Sequence, residues 1–154
     1  MEEVRLIEVK EEIHSDNKVK AQELRKRLAD SKTFLLNLMS SPGAGKTTTI
    51  LKTIELMGDA FTMGVMEADI DSMVDAEKIA ATGTHAVQLR TGGFCHLDAS
   101  MVERGLDGME LSPLDLVVIE NVGNLVCPAE FDTGAIKNVM ILSVPEGDDK
   151  PLKY

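Results

Sequence analysis

A short segment rich in small residues, SSPGAGKT at positions 40–47, most constrains how this chain can fold. An apolar run at residues 34–39 leads into it, and a run with helical periodicity at residues 47–57 follows it. A strand, a loop and a helix in this order are the context that a phosphate-binding P-loop requires. The segment therefore predicts a nucleotide site, in which Lys46 reaches the β- and γ-phosphates and the Thr47 hydroxyl binds Mg²⁺.

One position departs from the usual P-loop pattern, because Ser40 stands where that pattern has its first glycine. The rest of the pattern is intact, and small residues let backbone N–H groups turn toward phosphate oxygens. The alternative is a glycine-rich turn that only caps a helix. The candidate phosphate-binding residues are Gly43, Ala44, Gly45, Lys46, Thr47 and Thr48.

Apolar strand-like runs alternate with helical patterns along the chain, which predicts an α/β fold with a mostly parallel sheet flanked by helices. The predicted strands cover residues 33–39, 61–66, 85–89, 114–121 and 138–144. The predicted helices cover residues 17–30, 47–58, 72–81 and 97–106. Val19, Leu24 and Leu28 are the apolar positions of the first helix, and Asp71 or Ser72 is expected to cap the third. Residues 1–16 are predicted to form an N-terminal arm, in which residues 4–9 are an edge strand or part of the arm, and residues 17–154 the P-loop domain.

Composition excludes some classes of partner. The 154 residues carry a formal net charge of −10, which argues against nucleic acid or an anionic membrane as the main partner. No apolar run approaches the length of a membrane span, and the charged N-terminus is unlike a signal peptide. We therefore expect a cytoplasmic protein whose two cysteines are reduced.

A second nucleotide motif lies at residues 119–123, where a buried strand ends in Glu120 and Gly123 follows three residues later. Glu120 is a candidate to hold Mg²⁺, and the Gly123 N–H could contact a γ-phosphate and respond to hydrolysis. Asp69, Asp71 and Asp75 follow another strand, and one of them could bind Mg²⁺ or orient water. A helix cap or an exposed acidic face is the alternative for these aspartates. We expect Lys46, Asp75 and Glu120 to be catalytic.

The two cysteines, Cys95 and Cys127, each lie in a predicted loop beyond a strand, and His96 is adjacent to the first. Two thiolates and an imidazole suit Zn²⁺ or Ni²⁺. These three ligands would leave the coordination shell to be completed by water or by a second copy of the chain. The alternative is a pair of buried, reduced cysteines without metal.

Four stretches together resemble the HypB family of GTPases, which serve nickel insertion during nickel–iron hydrogenase maturation and are close to the urease accessory GTPase. They are SPGAGKT at 41–47, TG at 91–92 with CHLDA at 95–99, IENVGNLVCP at 119–128, and SVPEGDDK at 143–150. The resemblance implies a homodimer that hydrolyses GTP slowly with Mg²⁺. It also implies that Cys95, His96 and Cys127 bind Zn²⁺ or Ni²⁺ at the subunit interface. A nickel-carrying maturation protein and the hydrogenase large subunit are the implied partners.

The chain departs from that family in two ways. The family's guanine-reading Asn-Lys-x-Asp motif is absent from this chain, so a preference for GTP over ATP does not follow from these residues. The sheet is also expected to lack the C-terminal strand or strands of the full family domain. The N-terminal cysteine motif and histidine-rich tract of some members are also absent. Lys150 and Lys153 match family lysines that could face the nucleotide, the dimer partner or solvent. The alternatives are a metal-binding dimerisation module with little hydrolase activity, or another P-loop NTPase or kinase.

Overall fold

The computed structural model describes residues 3–9, 14–69, 72–109 and 113–153. The strands within these ranges form one six-stranded sheet in the order β1-β4-β3-β5-β2-β6, and every neighbouring pair is parallel. The strands are β1 (Arg5–Glu8), β2 (Phe34–Ser40), β3 (Met63–Asp69), β4 (His85–Arg90), β5 (Leu116–Glu120) and β6 (Lys137–Ile141). The prediction of a parallel α/β sheet flanked by helices is confirmed.

The helices cover both faces of the sheet, as parallel strands joined by crossovers require. They are α1 (His14–Ser31), α2 (Lys46–Met57), α3 (Val74–Ala80), α4 (Ala99–Met109), α5 (Val126–Glu130) and α6 (Lys150–Lys153), with a 3₁₀ turn at Val144–Glu146. One apolar layer joins α1 and α4 to the sheet and includes Met66 and Ile119. The other joins α2 and α3 and includes Val65 and Val118. Consecutive strand residues therefore pack into opposite layers.

The strand order determines where the site forms. β5 lies between β3 and β2, and the register pairs Glu120 with both Glu67 of β3 and Leu38 of β2. Because parallel strands all end at the same edge, the loops after β2, β3 and β5 meet there. Residues predicted separately from three parts of the sequence are thus brought to one place.

The first helix differs in detail from its prediction. α1 begins at His14, and Leu24 and Leu28 are buried as expected, whereas Val19 is 61% exposed. Ala21, a residue without a strong apolar signal, takes its place in the core against α4 and the sheet. The predicted edge strand near the N-terminus is present as β1, which pairs with β4. The division of the chain at residue 16 stays a prediction.

Several predicted ends shift because of local hydrogen bonds. α3 begins at Val74 with Met73 at the N-cap position, one residue later than predicted. The predicted cap, Ser72, still bonds to the start of the helix, because its hydroxyl accepts from the Val74 N–H at 3.3 Å. The Ser72 N–H donates to Asp69 Oδ1 at 3.2 Å, which adds a turn before the helix. The other predicted cap, Asp71, lies outside the described residues. α4 begins at Ala99, where Asp98 Oδ1 accepts from the Met101 N–H at 2.9 Å.

The C-terminal part of the chain also differs from the prediction. β6 ends at Ile141 because Ser143 and Glu146 form a reciprocal capping box that starts a 3₁₀ turn. α5 was not predicted, since its five residues include Pro128 and are too few to show a helical period. Among the described residues, no helix combines the length and apolarity needed to cross a membrane.

Candidate functional site

The P-loop connects β2 to α2 and borders a cavity of about 390 Å³ at the carboxyl edge of the sheet. Gly43 and Gly45 have φ values of 77° and 101°, a backbone region that side chains disfavour, so glycine is required at both. The cavity is lined by Pro42, Gly43, Gly45, Lys46, Thr47, Thr48, Glu67, Ala68, Asp69, Asp75, Lys78, Glu120, Asn121 and Gly123. Of the predicted nucleotide residues that the structure describes, only Ala44 is missing from this lining.

The P-loop lysine is buried, and its position explains the serine that departs from the usual pattern. Lys46 Nζ donates to Ser40 Oγ at 3.0 Å, and the Ser40 hydroxyl in turn donates to the Ser41 carbonyl at 2.8 Å. A glycine at position 40 would offer no such acceptor. Ser40 therefore holds the ammonium group inside the loop, where phosphate oxygens are expected to bind.

The turn after β5 lies against the P-loop. Thr47 Oγ1 donates to Glu120 Oε1 at 2.5 Å, which joins the two predicted Mg²⁺ residues. A Cβ atom added to Gly123 would lie 3.0 Å from Pro42 Cγ, closer than real Cβ atoms normally come. Only glycine lets the two loops approach this closely.

Three carboxylates converge in the cleft: oxygen atoms of Glu67, Asp75 and Glu120 all lie within 4.8 Å of one another. Burial, a hydrogen bond to Glu120 and the negative charges of Glu120 and Asp75 together raise the pKa of Glu67 to about 11, against the opposing effect of Lys46. Glu67 therefore holds a proton at neutral pH. Like charges this close cannot all remain ionised without a counter-charge.

Glu67 was not among the predicted site residues, because the sequence prediction took only Asp69, Asp71 and Asp75 from the acids that follow the predicted strand at residues 61–66. The structure extends β3 to Asp69, so Glu67 lies inside the strand, where it is 4% exposed. The sequence signal was an acidic residue directly after the apolar run at residues 61–66. Asp69 lines the cavity but accepts from the Ser72 N–H, and Asp75 forms an exposed ion pair with Lys78 at 3.3 Å. Asp71 lies outside the described residues.

The acidic cluster fits Mg²⁺. Its donors are hard oxygens, which this cation prefers. Glu67 Oε1 and Glu120 Oε2 are buried and have no hydrogen-bond partner, as expected of atoms arranged for a cation. Glu67, Asp75 and Glu120 would hold the ion together with the Thr47 hydroxyl.

The two cysteines lie in contact beside this cleft. A hydrogen bond between their side chains, partial burial and the charge of nearby groups raise the pKa of the Cys127 thiol, whereas Asn124 lowers it. Asn124 Nδ2 lies 3.8 Å from Cys127 Sγ. Both thiols are partly exposed and free of disulfide bonds. One chain therefore brings two soft ligands together.

His96 packs against an aromatic ring. Its buried ring stacks on Phe131, with ring centroids 3.6 Å apart and planes 10° from parallel. Among the described residues, Glu67, Asp75 and Glu120 make up the one group of three metal-ligating side chains within 4.8 Å of each other, so Cys95, His96 and Cys127 do not. The three predicted metal ligands are neighbours but are not assembled into a site within one chain.

The C-terminal segment borders the other side of the P-loop. Hydrogen bonds from the Ser41 hydroxyl and from Ser143 hold the pKa of Glu146 below its usual value. Lys150 joins Ser41 and Gly123 in lining a cavity of about 270 Å³, whereas Lys153 is exposed. Lys150 is thus close to the loop, and the roles of both lysines stay predictions.

Comparison with known proteins matches residues 34–141 to the CobW/HypB/UreG nucleotide-binding domain. The hydrogenase maturation factor HypB of Azotobacter chroococcum is 51% identical over 97% of this chain and 49% of that protein. The hydrogenase/urease maturation factor HypB of Helicobacter hepaticus is 47% identical over 96% of this chain and 62% of that protein. The chain thus spans roughly half to three-fifths of the length of these relatives.

A solved structure agrees with these matches. HypB from Helicobacter pylori in complex with nickel is 45% identical, with a TM-score of 0.82 over 90% of this chain and 66% of that one. The similarity in sequence and structure agrees with the features described above, namely the P-loop, the acidic cluster and the order of the strands. The chain therefore belongs to the CobW/HypB/UreG family of nucleotide-binding domains.

Proposed function

We propose that this chain binds and hydrolyses GTP and acts as a metallochaperone in nickel insertion during hydrogenase maturation. The observation that carries the proposal is the convergence of the P-loop, the acidic cluster and the two cysteines at one edge of the sheet. The names of its relatives support the maturation role, and the nickel complex of a similar structure supports the metal. The nickel-carrying partner, the hydrogenase large subunit and the cytoplasmic location stay predictions.

The nucleotide reaction depends mainly on positioned charge. Lys46 would move from Ser40 Oγ to the β- and γ-phosphate oxygens, and the Gly123 N–H would contact the γ-phosphate. Mg²⁺, when bound, would neutralise charge on the phosphates. Asp75 is partly exposed and lines the cleft, and we expect it to orient the attacking water. The water oxygen would bond to the γ-phosphorus as the bond to the GDP oxygen breaks, and the water's proton would leave with the phosphate.

Nickel or zinc is the cargo of the proposed cycle. Cys95 and Cys127 offer two thiolates, and a second chain would supply further ligands at a dimer interface. His96 would join them only after leaving Phe131. Three residues separate Gly123 from Cys127. One of them, Asn124, contacts the Cys127 sulfur. A shift of this turn on hydrolysis would therefore reach the metal ligands.

The nucleotide half of the proposal is tested by measuring hydrolysis of GTP and ATP by this chain under identical conditions. Slow turnover of GTP, lost in Lys46→Ala, is the expected result. If the chain hydrolyses GTP and ATP equally, it is a P-loop NTPase without a base preference rather than a GTPase. Metal binding and dimerisation without hydrolysis would instead favour the metal-binding dimerisation module.

The metal half is tested by titrating Ni²⁺ and Zn²⁺ into the chain, followed by sedimentation. We expect one ion per dimer, a tighter dimer on metal binding, and loss of both effects in Cys95→Ala and Cys127→Ala. His85→Ala is the matched control, because His85 begins β4 at the opposite end of that strand from the cysteine loop. Metal uptake that is unchanged by both cysteine substitutions would contradict the proposal.

A further inference from the structure

We infer that Asn37, in the middle of β2, is a positioning residue that holds the turn after β5 in place through a buried row of asparagine amides. Asn37 and Asn121 are each 1% exposed, and burying an amide costs free energy unless it is hydrogen-bonded. The inference rests on the proposed contact between the Gly123 N–H and a γ-phosphate. It assigns the support of that contact to a residue of β2, the strand next to β5.

The row crosses three neighbouring strands. The Val122 N–H donates to Asn121 Oδ1 at 2.8 Å, and Asn121 Nδ2 donates to Asn37 Oδ1 at 2.9 Å. Asn37 Nδ2 then donates to Asn138 Oδ1 at 3.0 Å, and these two residues are direct register partners of β2 and β6. The row therefore runs from the exposed edge strand to the residue that precedes Gly123.

The direction of every bond in the row follows from one backbone group. An amide side chain has one donor end and one acceptor end. Because the Val122 N–H can only donate, Asn121 must turn its oxygen toward it and its NH₂ group toward Asn37. Asn37 must then present its oxygen inward and its NH₂ group to Asn138. Each link thus depends on the one before it.

The turn at the end of the row is held from its other side as well. The Val122 carbonyl accepts from the Asn124 N–H at 2.7 Å, and Gly123 packs against Pro42 of the P-loop. If Asn37 lost its oxygen, the buried NH₂ group of Asn121 would lack that acceptor and the side chain would rotate. Val122 would lose its bond, and the Gly123 N–H would move. GDP, which has no γ-phosphate, would be indifferent to this movement.

The test is calorimetric titration of Asn37→Leu with a non-hydrolysable GTP analogue and with GDP, both with Mg²⁺. We expect affinity for the analogue to fall about tenfold, as for one buried hydrogen bond, while affinity for GDP changes by about twofold or less. Asn138→Leu is the matched control at the exposed end of the row. It should change neither affinity by more than about twofold, because water can replace its oxygen there.

Asn37→Ser is a second variant for use if Asn37→Leu does not fold. Serine is polar and therefore compatible with the buried amides around it, but its side chain is too short to accept from Asn121. Equal losses of affinity for the analogue and GDP would mean a merely structural role, and no loss for either would mean no role. Both outcomes leave the ratio of the two affinities unchanged and would overturn the inference. Failure of the proposed function is visible separately, because wild-type protein would then not distinguish the analogue from GDP.

Discussion

The acidic cleft and the cysteine pair lie side by side but differ in how completely each is assembled. In the cleft, three carboxylates, the Lys46 ammonium and the Thr47 hydroxyl already face one cavity. At the cysteine pair, two partly exposed thiols are in contact while His96 is stacked elsewhere. A site built at the ends of buried strands is organised by the fold itself. A site built on loops is not fixed by the sheet. Under the proposed function, this freedom would let the cysteine pair capture and release a metal.

The largest expected effect would come from the assembled site. Lys46→Ala removes the cation that is placed to neutralise phosphate charge, and we expect kcat/KM for nucleotide hydrolysis to fall by about 10²–10³. Lys52→Ala is the matched control, since Lys52 lies on the same helix and forms an exposed ion pair with Glu55 at 2.6 Å. Steady-state phosphate release measures both variants. A loss of similar size in the two would show that the effect comes from the helix rather than from the site.

The second prediction concerns the proton held by Glu67. Because burial and neighbouring carboxylates raise the pKa of Glu67 to about 11, Mg²⁺ binding at neutral pH must displace a proton. Affinity for Mg²⁺ should therefore rise with pH, by up to about tenfold per pH unit for one proton. Glu67→Gln should flatten this dependence when Mg²⁺ is titrated between pH 6 and 9. A wild-type affinity that does not vary with pH would contradict this account of the cleft.

The same group makes a prediction for the metal-free protein. An acid whose folded pKa is raised binds more protons when folded, so its contribution to stability is full below pH 4.5 and declines as the pH rises toward about 11. The decline is at most about 1.4 kcal/mol per pH unit. Glu67→Gln should therefore melt at a higher temperature than wild type at pH 8, and the two should converge near pH 4.5.

A smaller effect is expected at the incomplete site, where Phe131→Ala would release His96 from its stack. If His96 is a third ligand, metal binding no longer has to break a contact worth about 0.5–1.5 kcal/mol, and Zn²⁺ affinity should rise up to about tenfold. The double variant His96→Ala with Phe131→Ala should lose this gain. If both variants bind Zn²⁺ equally, His96 is a packing residue rather than a ligand. The acidic cleft and the cysteine pair would then differ only in how many ligands each provides.

The smallest effect, on the free energy of unfolding, is expected where α1 contacts the two segments that contain the cysteines. Asn17 of α1 donates to the Asp132 carbonyl at 2.9 Å and accepts from the Ala99 N–H at 2.7 Å, which ties both cysteine-containing segments to one helix. The Arg25 guanidinium adds a bidentate ion pair with Asp132. Partial burial alone would raise the pKa of Asp132, but the bonds from Arg25 and the Gly134 N–H outweigh it and lower that pKa.

Asp132→Asn should accordingly reduce the free energy of unfolding at pH 7 by about 0.5–1 kcal/mol, the upper part of the range for surface pairs, because this pair is bidentate and partly buried. Because the folded pKa is lowered, this stability is present above pH 3.8 and is lost as the pH falls through the folded value. The difference between wild type and variant in denaturant titrations should disappear in acid. Glu55→Gln, which breaks an isolated exposed pair on α2, should cost less.

Local spacing was enough to predict the P-loop, the strand before it and the acid at the end of β5, because each depends on residues that are close in sequence. Glu67 was missed because its role arises from register, which places it opposite Glu120, 53 positions away along the chain. Asn37 was hidden for the same reason, since its partners are on β6 and after β5. The ring stack of His96 depends on Phe131, and no periodicity in either segment signals that contact.

The position of β2 within the sheet also bears on how the protein is made. Both strands that hydrogen-bond to β2 come much later in the chain, at Leu116–Glu120 and Lys137–Ile141. Non-local pairing of this kind is slow and cannot begin during synthesis until those segments have left the ribosome. The strand that carries the phosphate loop is therefore completed among the last elements of the sheet. Nucleotide binding would then report that folding has finished, and an interrupted chain ending before residue 116 would expose an unpaired apolar strand on both edges.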